Sequence, residues 1–301
     1  MKSLGNFLKL DDWQFHSQKA IKHLVTKDIK SENSRDTKKY INLSSLLTMV
    51  CPRYYYMLWD NPNILKETAG SSSMRNVWII GKALEEHVVE GLVDYYGHKS
   101  CLGRWKCSCG HLSHNGFLEE VKKCPKCGTT NTIYSEFDLT SDEYGIVGHP
   151  DFVTKYNGKL LVYEFKSTKI EIYHELLSGK YSSETKKMIA KHRLQGISYI
   201  KLLRKLGHEV HDRLMLTYLA KDYMLGGSPY HILQCIPTDI EHNTLQDMFE
   251  RAKVALTYKD NKQLPQRICA SREEGQGHQC KLIEHCFRLP NNVEDDKLAE
   301  T

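Results

Sequence analysis

The sequence predicts an α/β protein, with a mixed central sheet flanked by helices. Three observations carry that prediction. First, Asn157-Gly158 joins two strand-like runs, DFVTKY and KLLVYEF, and a two-residue type I′ turn needs φ > 0 at both centres, where Asn-Gly is favoured. Second, Ile80, Leu84, Val88, Leu92 and Tyr95 make a helical stripe upstream of that hairpin, closed by Gly97. Third, downstream, KKMIAKHRLQGISYIKLLRKLG reads as an amphipathic helix, and RLMLTYLAK and YHILQCIPTD as two further strands. Helix, strands, helix, strands is the outline of an α/β sandwich.

Taken in order, residues 1–40 are polar, end in KDIKSENSRDTKKY, and read as an arm or linker. A main domain over 41–301 begins with INLSSLLTMVCPRYYYMLWD, where Ser44-Ser45 before an apolar run marks a helix start. Residues 101–134 break the pattern with Cys, Gly and Pro and read as an insertion within that domain. Hydrophobic content of 40% and charged content of 26% over 301 residues are those of an ordinary soluble globular protein. No apolar run reaches the length of a membrane span. MKSLGNFLKLDDWQF lacks the apolar run and small-residue cleavage site of a signal peptide, so the expectation is a cytoplasmic protein. A net charge of +5 leans only weakly toward an acidic partner.

Ten cysteines in a reducing compartment point to metal rather than disulfides. Cys107, Cys109, Cys124 and Cys127 have the pattern of a zinc ribbon: two short knuckles, each followed by glycine, around a hairpin-sized stretch. The Cys107-Ser-Cys109 knuckle is one residue tighter than C-x-x-C, which leaves Cys101, His111 and His114 as alternatives for one of its cysteines. Four ligands would fold a segment too small for its own core. Such a ribbon could grip DNA, hold a protein partner, or only stiffen the insertion. Cys235 reads as a core thiol.

The hairpin carries the chemistry. With Asn157 and Gly158 at the turn, Tyr156 faces Lys159, Lys155 faces Leu160, and by the same register Asp151 faces Glu164. Lys166 projects from the same face as Glu164. Opposed carboxylates with Cβ atoms roughly 5 Å apart repel unless something neutralises them. A divalent cation would do so, and hard oxygen ligands favour Mg²⁺ or Mn²⁺. That set suits phosphodiester hydrolysis, with Lys166 orienting water or stabilising developing charge. For these three residues alone, solvated side chains at a strand edge are the commoner reading.

They do not stand alone. Gly148-His149-Pro150-Asp151, Glu164-Phe165-Lys166 and Gln195-Gly196-Ile197-Ser198-Tyr199 together resemble the motifs of the PD-(D/E)xK nuclease superfamily, and within it the RecB-like branch. The resemblance implies a restriction-endonuclease-like sheet, metal ligands at Asp151 and Glu164, and catalytic roles for Asp151, Glu164, Lys166, Gln195 and Tyr199. It also implies a helix-borne histidine ligand, which His87 in GKALEEHVVEGL matches; His98 lies beyond Gly97. Cys51 before these motifs and Cys269, Cys280 and Cys286 after them resemble the iron–sulfur members of that branch, the CRISPR-associated spacer-acquisition nucleases and the AddB nuclease domain. The resemblance implies a [4Fe–4S] cluster joining the N- and C-terminal parts, with zinc as the alternative for the same ligands. Ten residues, ASREEGQGHQ, separate Cys269 from Cys280 where the family has a tighter pair.

Resemblance over about Ile41 to Phe287 thus implies a metal-dependent DNA exonuclease. Its substrate would be single-stranded DNA or free ends, in recombination, repair, CRISPR adaptation or phage DNA processing. Basic residues on the Gln195–Tyr199 helix, with Tyr54 to Tyr56, offer phosphate contacts and stacking faces. The alternative class is a non-catalytic module that binds nucleic acid or protein, with structural iron–sulfur and zinc sites. A redox or metal sensor is a third.

Overall fold

The computed structural model describes residues 40–47, 51–61, 72–118, 123–129, 132–221, 230–277 and 280–289. The polar arm expected over 1–40 lies outside the described residues, Tyr40 excepted. A short strand β1, Ile41–Asn42, leads directly into helix α1, Leu43–Leu46, where the Asn42 side chain accepts the Ser44 N–H at 3.0 Å. The cap is therefore two residues earlier than the serine pair that signals it. Helix α2, Pro52–Asp60, starts separately, with proline in its first turn, where a missing N–H costs no hydrogen bond.

Helix α3 spans Ser72–Tyr96 and stops at Gly97, as its stripe predicts. The ends of that stripe face the wrong way, however: Ile80 is 49% and Tyr95 80% exposed. Three steps of four residues from Leu92 back to Ile80 overshoot 3.6-residue turns and carry Ile80 off the buried side. The buried seam instead runs through Leu84, Val88, Val89, Leu92, Val93 and Tyr96.

Seven strands make the main sheet. They are β2 (Cys101–Cys107), β3 (Leu112–Phe117), β4 (Thr132–Ser135), β7 (Phe152–Tyr156), β8 (Lys159–Thr168), β9 (Val210–Ala220) and β10 (Tyr230–Cys235). Their order is β10-β9-β8-β7-β2-β3, with β4 also paired to β2. Only β8 and β9 run parallel, so the sheet is mixed. Helices α4 (Ile170–Ser178) and α5 (Ser183–Lys205) make the crossover that a parallel pair requires. A small sheet sets β6 (Ile146–Gly148) between β1 and β5 (Leu139–Ser141). Helices α6 (Asp239–Asp260), α7 (Arg272–Gly277) and α8 (Ile283–Cys286) complete the chain.

The hairpin has the expected register, Tyr156 opposite Lys159 through Phe152 opposite Tyr163, around Asn157 (φ 47°) and Gly158 (φ 82°). The apolar run LLVYEF is explained by burial on both faces. Leu160 and Val162 join Ile197, Ile200 and Leu203 of α5 in one core cluster. Leu161, Tyr163 and Phe165 join Val89 and Val93 of α3, with Trp105, in another. Alternation along the strand then puts Glu164 on the α5 side.

The 101–134 segment is continuous with this sheet: Cys101 and Leu102 pair with Thr154 and Val153 of β7, and the rest of β2 pairs with β3 and β4. Helix α2 is tied to the 265–289 segment by Arg53, which is fully buried and donates to the carbonyls of Pro265 (2.9 Å), Cys286 (3.3 Å) and Leu289 (3.1 Å). Among the described residues, no helix is long and apolar enough to cross a membrane.

Candidate functional site

Asp151 lies one residue beyond the β7–β8 ladder, 9% exposed, and its Oδ2 accepts the Phe165 N–H at 2.7 Å. Glu164 is fully buried, with Oε1 paired to Lys166 Nζ and Oε2 without a hydrogen-bond partner among the described residues. Lys166 Nζ also lies 4.0 Å from Asp151 Oδ2 and donates to the Phe165 carbonyl at 3.1 Å. Burial, then the neighbouring Glu164 carboxylate, holds the Asp151 carboxyl well above the usual range despite Lys166. Burial raises Glu164 too, against the pull of Lys166. The two carboxyls and one ammonium predicted from the hairpin therefore meet in a low-dielectric pocket that disfavours more negative charge.

Two further carboxylates complete the group, and neither was anticipated. Ligand oxygens of Glu85 on α3, Glu136 after β4, and Asp151 all lie within 4.8 Å of one another. Lys82, one helical turn before Glu85, bridges the two glutamates at 2.9 Å to Glu85 Oε1 and 2.7 Å to Glu136 Oε1. His87, the expected helix ligand, is exposed and outside this group. Two residues on a helix are about 200° apart, so Glu85 and His87 cannot share a face. Glu85 shares its face instead with Gly81 and Val89, both of which meet the protein interior. A Cβ on Gly81 would fall 2.5 Å from Ser167 Oγ, so glycine there lets α3 approach β8 closely enough to present Glu85. An acidic residue on an apolar helix face was the legible sign.

Gln195 and Tyr199 share one face of α5, and Gln195 Nε2 donates to Tyr199 Oη at 3.0 Å. Burial first, then the Glu164 and Asp151 carboxylates, raise the Tyr199 hydroxyl well above its ordinary value. A Cβ on Gly148 would lie 2.7 Å from Tyr199 Cε1, which accounts for the glycine of Gly148-His149-Pro150-Asp151. His149 turns away from the carboxylates and pairs with Asp138 at 3.1 Å. Arg104 holds the other Asp138 oxygen at 3.1 Å and donates to the Glu136 carbonyl at 2.9 Å, fixing the chain after β4.

The ribbon cysteines assemble as predicted: the sulfurs of Cys107, Cys109, Cys124 and Cys127 all lie within 4.8 Å of one another. The Cys107–Cys127 separation is 3.2 Å and Cys109–Cys124 3.7 Å. Turns with Gly110 N–H to Cys107 O and Gly128 N–H to Cys124 O, both 2.8 Å, shape the two knuckles. The Cys109 backbone amide and then the Thr129 hydroxyl push the Cys107 thiol down to about 5, toward the thiolate that a metal needs. Thr129 Oγ1 lies 3.0 Å from Cys107 Sγ and 3.4 Å from Cys127 Sγ. Cys101, in contrast, is fully buried and donates to the Gly97 carbonyl at 3.3 Å. His111 is outside the group among the described side chains, and the His114 side chain lies outside them. The set can hold one tetrahedral ion such as zinc.

Cys51 caps the start of α2 and Cys286 ends α8; both are buried in the main core cluster, with Cys280 packed against it. Burial first, and then Cys51 and their neighbours among the group, raise the thiols of Cys269, Cys280 and Cys286. Unlike the ribbon cysteines, these four form no group of three or more sulfurs within 4.8 Å of one another among the described residues. Cys235 is buried with its thiol directed at the Leu233 carbonyl, 3.6 Å away, a core thiol as predicted. Scanned against family models and against curated proteins, the chain matches none.

Proposed function

We propose that this protein is a metal-dependent deoxyribonuclease of PD-(D/E)xK type, acting on single-stranded or free DNA ends. The observation that carries the reading is Glu164 Oε2, a buried carboxylate oxygen without a partner among the described residues, on a side chain whose Oε1 pairs with Lys166, itself 4.0 Å from Asp151 Oδ2. Such an atom is costly unless a ligand satisfies it. Mg²⁺ or Mn²⁺ fits the all-oxygen set of Asp151, Glu85 and Glu136, whose ligand atoms converge within 4.8 Å; Glu164, the other expected ligand, stands outside that set. A divalent ion bound there would polarise the phosphodiester and lower the pKa of a water.

The chain's own residues supply the rest. Phe165 N–H fixes the Asp151 carboxylate, and Lys166 holds a positive charge beside both hairpin carboxylates, suited to orienting water or to stabilising a developing oxyanion. Tyr199, kept protonated by burial and by those carboxylates, holds Gln195 in place at the edge of the site. Burial keeps bulk water from this face and strengthens every charge interaction on it. For Cys51, Cys269, Cys280 and Cys286 we propose the [4Fe–4S] cluster that the family resemblance implies. Zinc suits the ribbon, which we assign to DNA or a protein partner.

The test is cleavage of end-labelled single-stranded DNA with Mn²⁺, Mg²⁺ or EDTA, by wild type and Lys166→Ala. Metal-dependent loss of label by wild type alone is the expected result. No cleavage by protein with its cysteine sites loaded would sink the nuclease reading and favour a binding module.

A further inference from the structure

Arg104 clamps a short link between the two sheets. Ser135 ends β4 in the main sheet, opposite Arg104, and Leu139 opens β5 in the small one. Between them run Glu136, Phe137 and Asp138, and Arg104 holds both ends of that link: the Glu136 carbonyl at 2.9 Å and Asp138 Oδ2 at 3.1 Å. The β5–β6 ladder then pairs Leu139 with Gly148, and the same antiparallel register sets Asp138 opposite His149. There His149 Nε2 donates to Asp138 Oδ1 at 3.1 Å. Burial alone would raise the Asp138 carboxyl, yet His149 and then Arg104 hold it below its usual range. His149 stands two residues before Asp151, and Pro150 between them fixes one backbone dihedral. Asp151 therefore has two holds: Phe165 N–H on its side chain, and His149 on the chain that leads to it.

The ribbon stands at the other end of this route. Cys107 ends β2 opposite Thr132, the first residue of β4, and its sulfur lies 3.2 Å from that of Cys127. β4 has four residues with which to keep its register on β2. A slip by one would turn each of its side chains to the opposite face and draw Asp138 away from Arg104. Tyr134 seats one part of β4, its Oη donating to the Leu102 carbonyl at 3.0 Å. The ribbon seats the Thr132 end, because an ion on the four cysteines would draw the segment before β4 onto the last residue of β2.

We propose that Asp138 is a positioning residue for Asp151, and that Arg104 makes this placement answer to the metal in the ribbon. The proposal rests on the reading of Asp151 as a residue of the nuclease site. A closed ribbon keeps Ser135 opposite Arg104, Arg104 presents Asp138 to His149, and His149 sets the chain that enters β7. An open ribbon loosens those contacts in turn, and Asp151 loses one of its two holds. Besides offering a surface to DNA or a partner, the ribbon is thus an internal regulator of the hairpin site.

The test is hydrogen exchange of the full chain, zinc-loaded and without added Mg²⁺ or Mn²⁺, read by mass spectrometry at the Phe165 amide, whose bond to Asp151 reports that placement. Wild type is compared with Asp138→Asn, Cys124→Ser and the double variant. Asn offers one acceptor where Asp138 serves two donors, so one arm of the route is lost. Each single variant should exchange Phe165 about tenfold faster, and the double variant no faster than either. Linkage is reciprocal, so Asp138→Asn should also hold ribbon zinc more weakly against a chelating dye. In Mn²⁺-dependent cleavage of labelled single-stranded DNA it should lower kcat and leave KM in place. Arg104→Met, which keeps all four cysteines, carries the test if Cys124→Ser does not fold: Phe165 should exchange faster at full zinc content. Wild-type exchange in the single variants, or multiplied effects in the double, would overturn the proposal whether or not the chain cleaves DNA. Faster exchange beside a wild type that cuts nothing would support the coupling and sink only the nuclease reading.

Discussion

Phe165 donates its backbone N–H to Asp151 Oδ2 at 2.7 Å, across the open end of the hairpin. The chain entering β7 is thereby tied back to the strand it faces, and one Asp151 oxygen is spent on that tie. That same oxygen lies 4.0 Å from Lys166 Nζ, in a pocket whose charge depends on a single ammonium at that end.

Loss of that ammonium should be felt before any chemistry. In EDTA, Lys166→Met leaves fully buried Glu164 without its ion-pair partner, which costs about 3–5 kcal/mol when a buried pair is broken from one side. Thermal melts should show a large drop in Tm, and Mn²⁺ should restore part of it. An unchanged Tm in EDTA would mean that Glu164 is protonated or solvated.

His192 gives a pH signature away from the carboxylates. Burial first, then Lys166 and Lys191, push its imidazole down to about 3, while Nδ1 stays 3.0 Å from Tyr218 Oη. A base with a lowered folded pKa binds fewer protons folded than unfolded between about 3 and 6.5, so its contribution to stability grows as pH rises through that window. Chemical denaturation from pH 4 to pH 7 should therefore show a shallower rise for His192→Gln than for wild type. Parallel curves would count against a neutral buried imidazole.

Gly81 and Ser167 should be coupled. Gly81→Ala would put Cβ 2.5 Å from Ser167 Oγ and 3.4 Å from its Cβ, and overpacking of this kind costs roughly 1–3 kcal/mol. Ser167→Ala removes the offending atom, so the double variant should recover most of the loss in a double-mutant cycle. Additive losses would show that α3 is not held at this contact.

The ribbon prediction concerns Thr129. Its hydroxyl reaches both Cys107 and Cys127, and outer partners of metal ligands typically change affinity by about 10–100-fold. Zinc analysis should find one ion per chain in wild type, in addition to any metal at Cys51, and Cys124→Ser should lose it. Thr129→Val should keep the ion but release it faster to a chelating dye. Equal release rates would remove Thr129 from the metal's surroundings.

Local signals were read well from the sequence. Asn157-Gly158 sets the hairpin register because turn geometry and pairing are decided within a dozen residues. Glycines after Cys109 and Cys127 mark the knuckles for the same reason: backbone shape and ligand spacing are short-range properties. Glu136 left no such trace. It lies in no regular element, and Arg104 on a neighbouring strand grips its carbonyl while Lys82 on α3 holds its carboxylate. The motif points to His87 and away from His98 but says nothing of Glu85, which only the buried face of α3, marked by Gly81 and Val89, brings to the site. The far-separated cysteines Cys51 and Cys286 are gathered by Arg53, whose three carbonyl partners are all more than two hundred residues away.

Strand β2 belongs to two assemblies at once. Its first residues are stitched to β7, just after Asp151, and its last, Cys107, is a ribbon ligand. An ion on the four cysteines would pin the Cys107–Cys127 loop early, because that loop is short and its closure entropy small. β2 would then meet the rest of the chain as a stiff, preformed template, and the long-range pairing with β7 would have one flexible partner fewer to order. Metal supply would in this way set the pace of folding for a sheet whose ion-independent half lies elsewhere.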